Sequence, residues 1–170
     1  FKKEIITGIA AGSGITPILS IAHSVLSANI ENEFRLIYGN KSLSQEMFST
    51  EINTLKADYS ERFKVLNIYS RSTEKESKFG RIDESIINYY EKQFGTADKY
   101  FICGPEQMIY NVSDSLLAKK ISKDNIYYEL FTTSQKKIIA TEKGVKKLDI
   151  VYDGETYNLG DISGKTVLEA

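Results

Sequence analysis

Cysteine and histidine are nearly absent: the chain holds one of each, Cys103 and His23. A lone cysteine excludes an internal disulfide and points to a reducing, cytoplasmic location. One thiol and one imidazole are too few for a zinc site of the usual Cys/His kind, and no metal site is expected. Proline is confined to Pro17 and Pro105, and arginine to Arg35, Arg62, Arg71 and Arg81. An excess of one charge is missing as well. Lys+Arg number 22 against 23 Asp+Glu, a net −1, so the basic footprint of a general nucleic-acid binder is not there. No apolar stretch approaches the roughly 20 residues that span a bilayer, and no membrane association is expected. What remains is 170 residues, 41% hydrophobic and 11% aromatic, without low-complexity tracts. That suits one domain of ordinary size with a short appendage. The chain starts at Phe1 rather than Met and stops at Ala170 in mid-pattern, so it is expected to be a piece of a longer polypeptide.

Apolar runs and helical spacing alternate along the first 131 residues. Residues 4–10 are apolar without alternation, which reads as a strand covered on both faces. Ile18, Ile21, Ala22, Val25 and Leu26 recur at helical spacing, with Thr16 as the N-cap and Pro17 in the first turn. Strands are expected at Phe34–Tyr38, Phe63–Tyr69, Lys99–Cys103 and Ile126–Phe131. Between them lie helices marked by Met47, Phe48, Ile52 and Leu55, by Asp83 as cap with Ile86, Ile87, Tyr90 and Phe94, and by Met108, Ile109, Val112 and Leu116. This order predicts an α/β fold, a five-stranded parallel sheet with helices on both faces. Ligands of such sheets bind beyond the carboxyl ends of the strands. Gly8–Gly14, Gly39–Lys41, Ser70-Arg71, Cys103–Pro105 and the residues from Phe131 onward all fall on that edge.

Residues 134–144 are polar and read as a linker after a domain spanning 1–133. From 145 to 170 the period changes: Leu148, Ile150 and Tyr152 alternate before Asp153-Gly154, and Tyr157 and Leu159 after it. That is a hairpin signal. Val167–Ala170 look like a helix start.

Three motifs carry chemistry. Gly12-Ser13-Gly14-Ile15-Thr16-Pro17, between strand and helix, lets backbone approach a ligand and offers free N–H groups to a pyrophosphate. It lacks the Gly-Lys-Ser/Thr of a triphosphate loop, and Pro17 replaces the third glycine of the dinucleotide fingerprint, so a purely structural turn is the alternative. Cys103-Gly104-Pro105 opens another helix, where the alternative is a small core cysteine. Ser70-Arg71 puts a guanidinium and a hydroxyl at a strand end, a pairing that suits a phosphate monoester; the alternative is a solvated arginine. The second strand ends in Tyr38-Gly39-Asn40-Lys41, without an acid for a ribose 2′-hydroxyl. His23 reads as a helix residue, and Tyr89-Tyr90 and Tyr127-Tyr128 as packing.

Taken in order, Ala11–Pro17, Tyr38-Gly39-Asn40, Ser70-Arg71, Cys103-Gly104-Pro105-Glu106-Gln107-Met108 and Glu129-Leu130-Phe131 resemble the nucleotide-binding domain of the ferredoxin–NADP reductase superfamily. The tail from Lys147 resembles the first hairpin of a plant-type [2Fe–2S] ferredoxin domain. The reductase-then-ferredoxin order is similar to reductase subunits of the phenylacetyl-CoA epoxidase type. The resemblance implies that Gly12, Ser13, Gly14, Thr16 and Pro17 hold the pyrophosphate of NADPH, with Asn40 near it, and that Ser70 and Arg71 hold the 2′-phosphate. It places Cys103, Gly104 and Pro105 beside the nicotinamide, and Glu129 and Phe131 near the flavin, Cys103 and Glu129 being the catalytic pair. Hydride would pass from NADPH to FAD, then electrons through [2Fe–2S] to an oxygenase partner. The family's flavin-binding motif and four cluster cysteines are not in this sequence, so the chain alone is expected to bind nucleotide weakly, hold neither FAD nor iron, and turn over nothing. Two other readings are a flavodoxin-like regulatory module of the receiver type and a nucleotide sensor without electron transfer.

Overall fold

The apolar run Ile5–Ala11 forms strand β1, and its five central residues are buried. In the computed structural model, residues 2–130, 147–152 and 154–161 are described. After β1 come α1 (Ile15–Ala28), β2 (Glu33–Asn40), α2 (Ser49–Asp58), β3 (Phe63–Tyr69), β4 (Ser77–Phe79), α3 (Glu84–Phe94), β5 (Lys99–Cys103), α4 (Glu106–Ala118) and β6 (Ile126–Glu129). Their strands make one sheet in the order β4-β3-β2-β1-β5-β6, with every neighbouring pair parallel.

The sheet therefore has six strands, not the five the sequence predicts. The extra strand, β4, is three residues on the edge, paired with Asn67–Tyr69, inside a stretch that reads as polar loop. Three partly polar residues are too few to show a period. With β4 set aside, the order is that of dinucleotide-binding folds, in which β1 lies between the two halves, and not the flavodoxin-like order of receiver modules. The topology thus decides against the receiver reading.

Alternation along the strands builds two cores. Ile6, Ala10, Phe34, Leu36, Tyr38, Phe63 and Cys103 face α1 and α2, where Ile15, Ile18, Ala22, Leu26, Ile52 and Leu55 cover them. Ile9, Ile37, Ile68, Tyr100 and Ile102 face α3 and α4, under Ile87, Tyr90, Ile109, Val112 and Leu116. Strands covered on both faces are the reason the runs look uniformly apolar.

Helix starts differ from expectation in two places. The first helix begins at Ile15 with Gly14 as N-cap, so Thr16 is inside the first turn and its hydroxyl donates to the Ser13 carbonyl instead of capping. The preceding one-turn 3-10 segment Gly12–Gly14 moves the start. Helix α2 starts at Ser49, because Phe48 adopts a left-handed φ of 59° at its N-cap. Asp83 does cap α3, accepting from the Ile86 amide. Of the tyrosine pairs, Tyr90 is core, while Tyr89, Tyr127 and Tyr128 are exposed; His23 is exposed on α1.

The chain divides into compact units at Thr132/Thr133. In the second, β7 (Lys147–Tyr152) and β8 (Glu155–Asp161) pair antiparallel, the hairpin that the alternation predicts. Gly154, with φ 81°, supplies the left-handed residue of its turn. The linker 134–144, Phe131 and the helix start at 167–170 lie outside the described residues.

Candidate functional site

Three strand ends and two helix starts converge where the sheet order reverses, between β1 and β5. The 3-10 turn after β1 reaches across to the end of β5: a Cβ at Gly14 would overlap the Cys103 carbonyl and come within 2.8 Å of the Gly104 amide nitrogen. A Cβ at Gly104 would in turn meet Met108 Cε at 2.7 Å and Ala11 at 3.2 Å. Two of the three sequence motifs are thus packed backbone against backbone, which is possible only without side chains at these positions. Gly12 differs: its φ is 53° and nothing stands within 4 Å of where a Cβ would be. It opens onto a cleft.

That cleft has a volume of about 900 Å³, at the upper end of the range for small-molecule sites. The turn residues Gly12 and Ser13 form one wall, Gly39, Asn40 and Lys41 at the end of β2 another, and Ser70 the base beyond β3. Gly104, Pro105, Gln107, Met108 and Asn111 come from the start of α4, and Gly80 to Asp83 from the segment before α3. The residues present fit a dinucleotide. Free amides at the start of α1 and its dipole suit a pyrophosphate. Asn40 Nδ2 is buried beside the Tyr38 hydroxyl, and with two N–H groups it keeps a donor for a ligand. Lys41 and Arg81 add two cations.

Sequence reasoning put Lys41 on this edge and Gln107 in a motif without giving either a role, and it missed Arg81, Asp83 and Asn111 as lining residues. For Arg81 a signal existed: it is one of four arginines and follows Gly80, which adopts φ 130°. Ser70 lines the cleft as expected, while Arg71 is exposed and is not among the lining residues. Its amide donates to the Lys41 carbonyl at 2.8 Å, and it makes no ion pair with Glu74 or Glu76. An acid does reach the cleft, although none stands at the end of β2. Asp83 is engaged by Ser85 Oγ at 2.6 Å and by the Ile86 amide, and these bonds hold its carboxyl below the ordinary value despite some burial.

Cys103 and Glu129 sit on the other face of the sheet. They are register neighbours on β5 and β6, and both line a 140 Å³ hollow with Pro17, Ile18, Ile21, Phe101, Tyr127 and Tyr128. Burial, and secondarily the Glu129 carboxylate, push the Cys103 thiol up from its ordinary value. A thiol held neutral is a poor nucleophile. The hollow is apolar, apart from Glu129, and Phe101 stacks on Tyr127 with ring centroids 4.9 Å apart. Cys103-Gly104 therefore forms the partition between a polar cleft and an aromatic hollow. Among the described residues no cluster of His, Cys, Asp or Glu could hold a metal, and no helix is long and apolar enough to cross a membrane.

A family model described as the oxidoreductase NAD-binding domain matches residues 9–114, which takes in the glycine turn, the cleft and the Cys103–Pro105 partition. The chain belongs to that family. It is an oxidoreductase NAD-binding domain. One component of the 1,2-phenylacetyl-CoA epoxidase of Escherichia coli (strain K12) is 34% identical over 158 residues, covering 86% of this chain and 43% of that protein. The ferredoxin reductase component of the 3-ketosteroid-9-alpha-monooxygenase of Mycobacterium tuberculosis (strain ATCC 25618 / H37Rv) is 28% identical over 135 residues, covering 79% of this chain and 36% of its own length. The chain thus spans less than half the length of these relatives. Among solved structures, the domain resembles a ferredoxin NADP+ reductase from Neisseria gonorrhoeae with bound FAD and NADP, with a TM-score of 0.63 at 16% identity over 75% of this chain and 56% of that one. The CS-b5R domains of human Ncb5or in the NAD+ form give a TM-score of 0.66 at 22% identity, over 74% of this chain and 36% of that one. These likenesses bear on the fold alone.

Proposed function

We propose that this NAD-binding domain is the NADPH-holding part of a reductase that feeds electrons to an oxygenase, such as an epoxidase acting on phenylacetyl-CoA. The observation that carries the reading is the glycine turn packed directly on Cys103-Gly104 beside the cleft, because it sets a pyrophosphate-binding turn next to the partition where a nicotinamide would end. The similarity to a component of a phenylacetyl-CoA epoxidase supports the choice of partner. The redox chemistry would belong to the cofactors: a bound FAD would take hydride from NADPH, and a [2Fe–2S] centre would carry single electrons onward.

The chain's own residues bind and orient. Gly12 and Ser13, with the amides that open α1, hold the pyrophosphate, and Asn40 donates from the neighbouring end of β2; Thr16 braces the turn through the Ser13 carbonyl, and Pro17 lines the hollow instead. Ser70 with Lys41 and Arg81 holds the 2′-phosphate, and Arg71 adds charge at the rim. Gly104 and Pro105 bound the nicotinamide end. Cys103 and Glu129, on the hollow side, would face the flavin ring. A [2Fe–2S] centre takes four thiolates and this chain has one cysteine, so the cluster is assigned to sequence outside the chain, following the ferredoxin-like reading of the β7–β8 hairpin.

Titrating the isotope-labelled chain with NADPH tests the reading. Saturable, weak binding with chemical-shift changes confined to Gly12–Gly14, Asn40-Lys41, Ser70, Gly80-Arg81 and Gly104 is expected. Absence of binding, or changes at the β7–β8 hairpin instead, overturns it.

A further inference from the structure

One buried side chain joins two walls of the cleft without lining it. Tyr38 is fully buried on β2, and its hydroxyl oxygen stands 3.3 Å from the carbonyl of Gly12 and 3.3 Å from the carbonyl of Met47. The Met47 amide donates to the same oxygen at 3.3 Å. A phenol has one hydrogen to give, so the two carbonyls share it while the Met47 N–H is accepted. Gly12 belongs to the glycine turn. Met47 lies near the end of the segment 41–48, whose Lys41 and Gln45 also line the cleft.

The other anchors of that segment run elsewhere. Lys41 is tied to the Arg71 amide, and the Glu46 carboxylate accepts from the Tyr69 hydroxyl. Neither touches the glycine turn. Within the segment the Gln45 and Glu46 amides bond only to Ser42 and Leu43, and it ends on Phe48 in a left-handed conformation that costs a bulky residue energy. Leu43, Met47 and Phe48 are all exposed, so little packing holds the segment in place. A phenol keeps its hydrogen at neutral pH, and burial pushes that of Tyr38 further up, against the hydrogen bonds from Asn40 and the Met47 amide.

We infer that Tyr38 is a positioning residue for nucleotide binding: its hydroxyl sets the spacing between the glycine turn and the 41–48 wall, so that the turn and the cation at Lys41 engage one ligand together. This rests on the nucleotide reading above. It makes a specific demand, because a coenzyme carrying a 2′-phosphate needs both walls whereas one lacking it needs mainly the turn.

The test is calorimetric titration of the full chain with NADPH and with NADH, for the wild type, Tyr38→Phe, Lys41→Ala and the double variant. Loss of one shared hydrogen bond predicts roughly three- to tenfold weaker NADPH binding for Tyr38→Phe, with less change for NADH. In the Lys41→Ala background the Tyr38→Phe effect on NADPH shrinks, since residues that act as a unit are non-additive. An unchanged NADPH affinity, equal losses for both coenzymes, or strict additivity overturns the inference. Failure of the wild type to bind NADPH at all would instead remove the functional reading beneath it. Should Tyr38→Phe not fold, amide exchange in the wild type decides: NADPH should slow exchange at Met47 along with Gly12 and Gly14, and protection of the turn without Met47 overturns the coupling.

Discussion

Gly14 rests against the carbonyl of Cys103 with no room for a methyl group between them. The contact is backbone to backbone across the β1–β5 boundary, and it fixes where a ligand on the glycine turn lies relative to the end of β5. Gly14→Ala forces the two strand ends apart. Overpacking of this kind costs roughly 1–3 kcal/mol, so the urea midpoint should fall at an unchanged slope, and NADPH binding should be lost in the folded fraction. Gly12→Ala is the control: its Cβ meets nothing, and only the strain of φ 53° opposes it, a smaller loss.

Coenzyme choice should depend on Arg81 more than on Arg71, because Arg81 lines the cleft and Arg71 is exposed outside it. A charge-assisted hydrogen bond contributes roughly 1.5–3 kcal/mol, and each 1.4 kcal/mol is about tenfold. Arg81→Ala is therefore expected to weaken NADPH binding on the order of ten- to a hundredfold and leave NADH nearly untouched, with a smaller effect from Arg71→Ala. Titrations that rank the two arginines in reverse would return the 2′-phosphate to the Ser70-Arg71 pair alone.

Cys103 should behave as a shaped wall rather than a nucleophile. With the thiol buried and its ionisation opposed by Glu129, the native chain is expected to react slowly with a thiol reagent at pH 7.5, and the unfolded chain rapidly. In a reductase that joins this domain to a flavin domain, Cys103→Ala should slow flavin reduction in stopped-flow traces and leave NADPH affinity within a few-fold.

Tyr90 offers a stability test remote from the cleft. Its hydroxyl is buried without a partner, and burial raises its pKa above the ordinary phenol range. An unmade buried hydrogen bond costs about 1–3 kcal/mol, so Tyr90→Phe should leave stability at pH 7 unchanged or raise it by about 1 kcal/mol. The sign of the pH dependence follows from the raised value. Above pH ~10 the unfolded chain loses the phenolic proton that the folded chain retains, so this contribution is full below that pH and falls as pH rises toward the folded value. Tyr90→Phe should flatten the alkaline limb of a stability–pH curve, and an unaltered limb would mean that Tyr90 is not among the groups responsible.

Local sequence alone determined the alternation of strand and helix, the two-sided burial of β1, the Asp83 cap and the Asp153-Gly154 hairpin. Each follows from periodicity or turn chemistry within a dozen residues, where propensity and burial pattern act together. It also placed Gly12–Pro17, Asn40, Ser70 and Cys103–Pro105 on one edge, since parallel strands all end on the same side. Only the tertiary structure decided the rest. Strand order put β5 rather than β3 beside β1, and this brings Gly14 onto Cys103 across nearly ninety positions of sequence, a contact no local pattern encodes. The three-residue strand β4 exists because β3 offers it a free edge, and the turn after it swings Arg81 into the cleft that Arg71 leaves. Tyr38, which reads as one more apolar strand residue, became a link between two walls only when the chain folded back to bring Gly12 and Met47 to its hydroxyl.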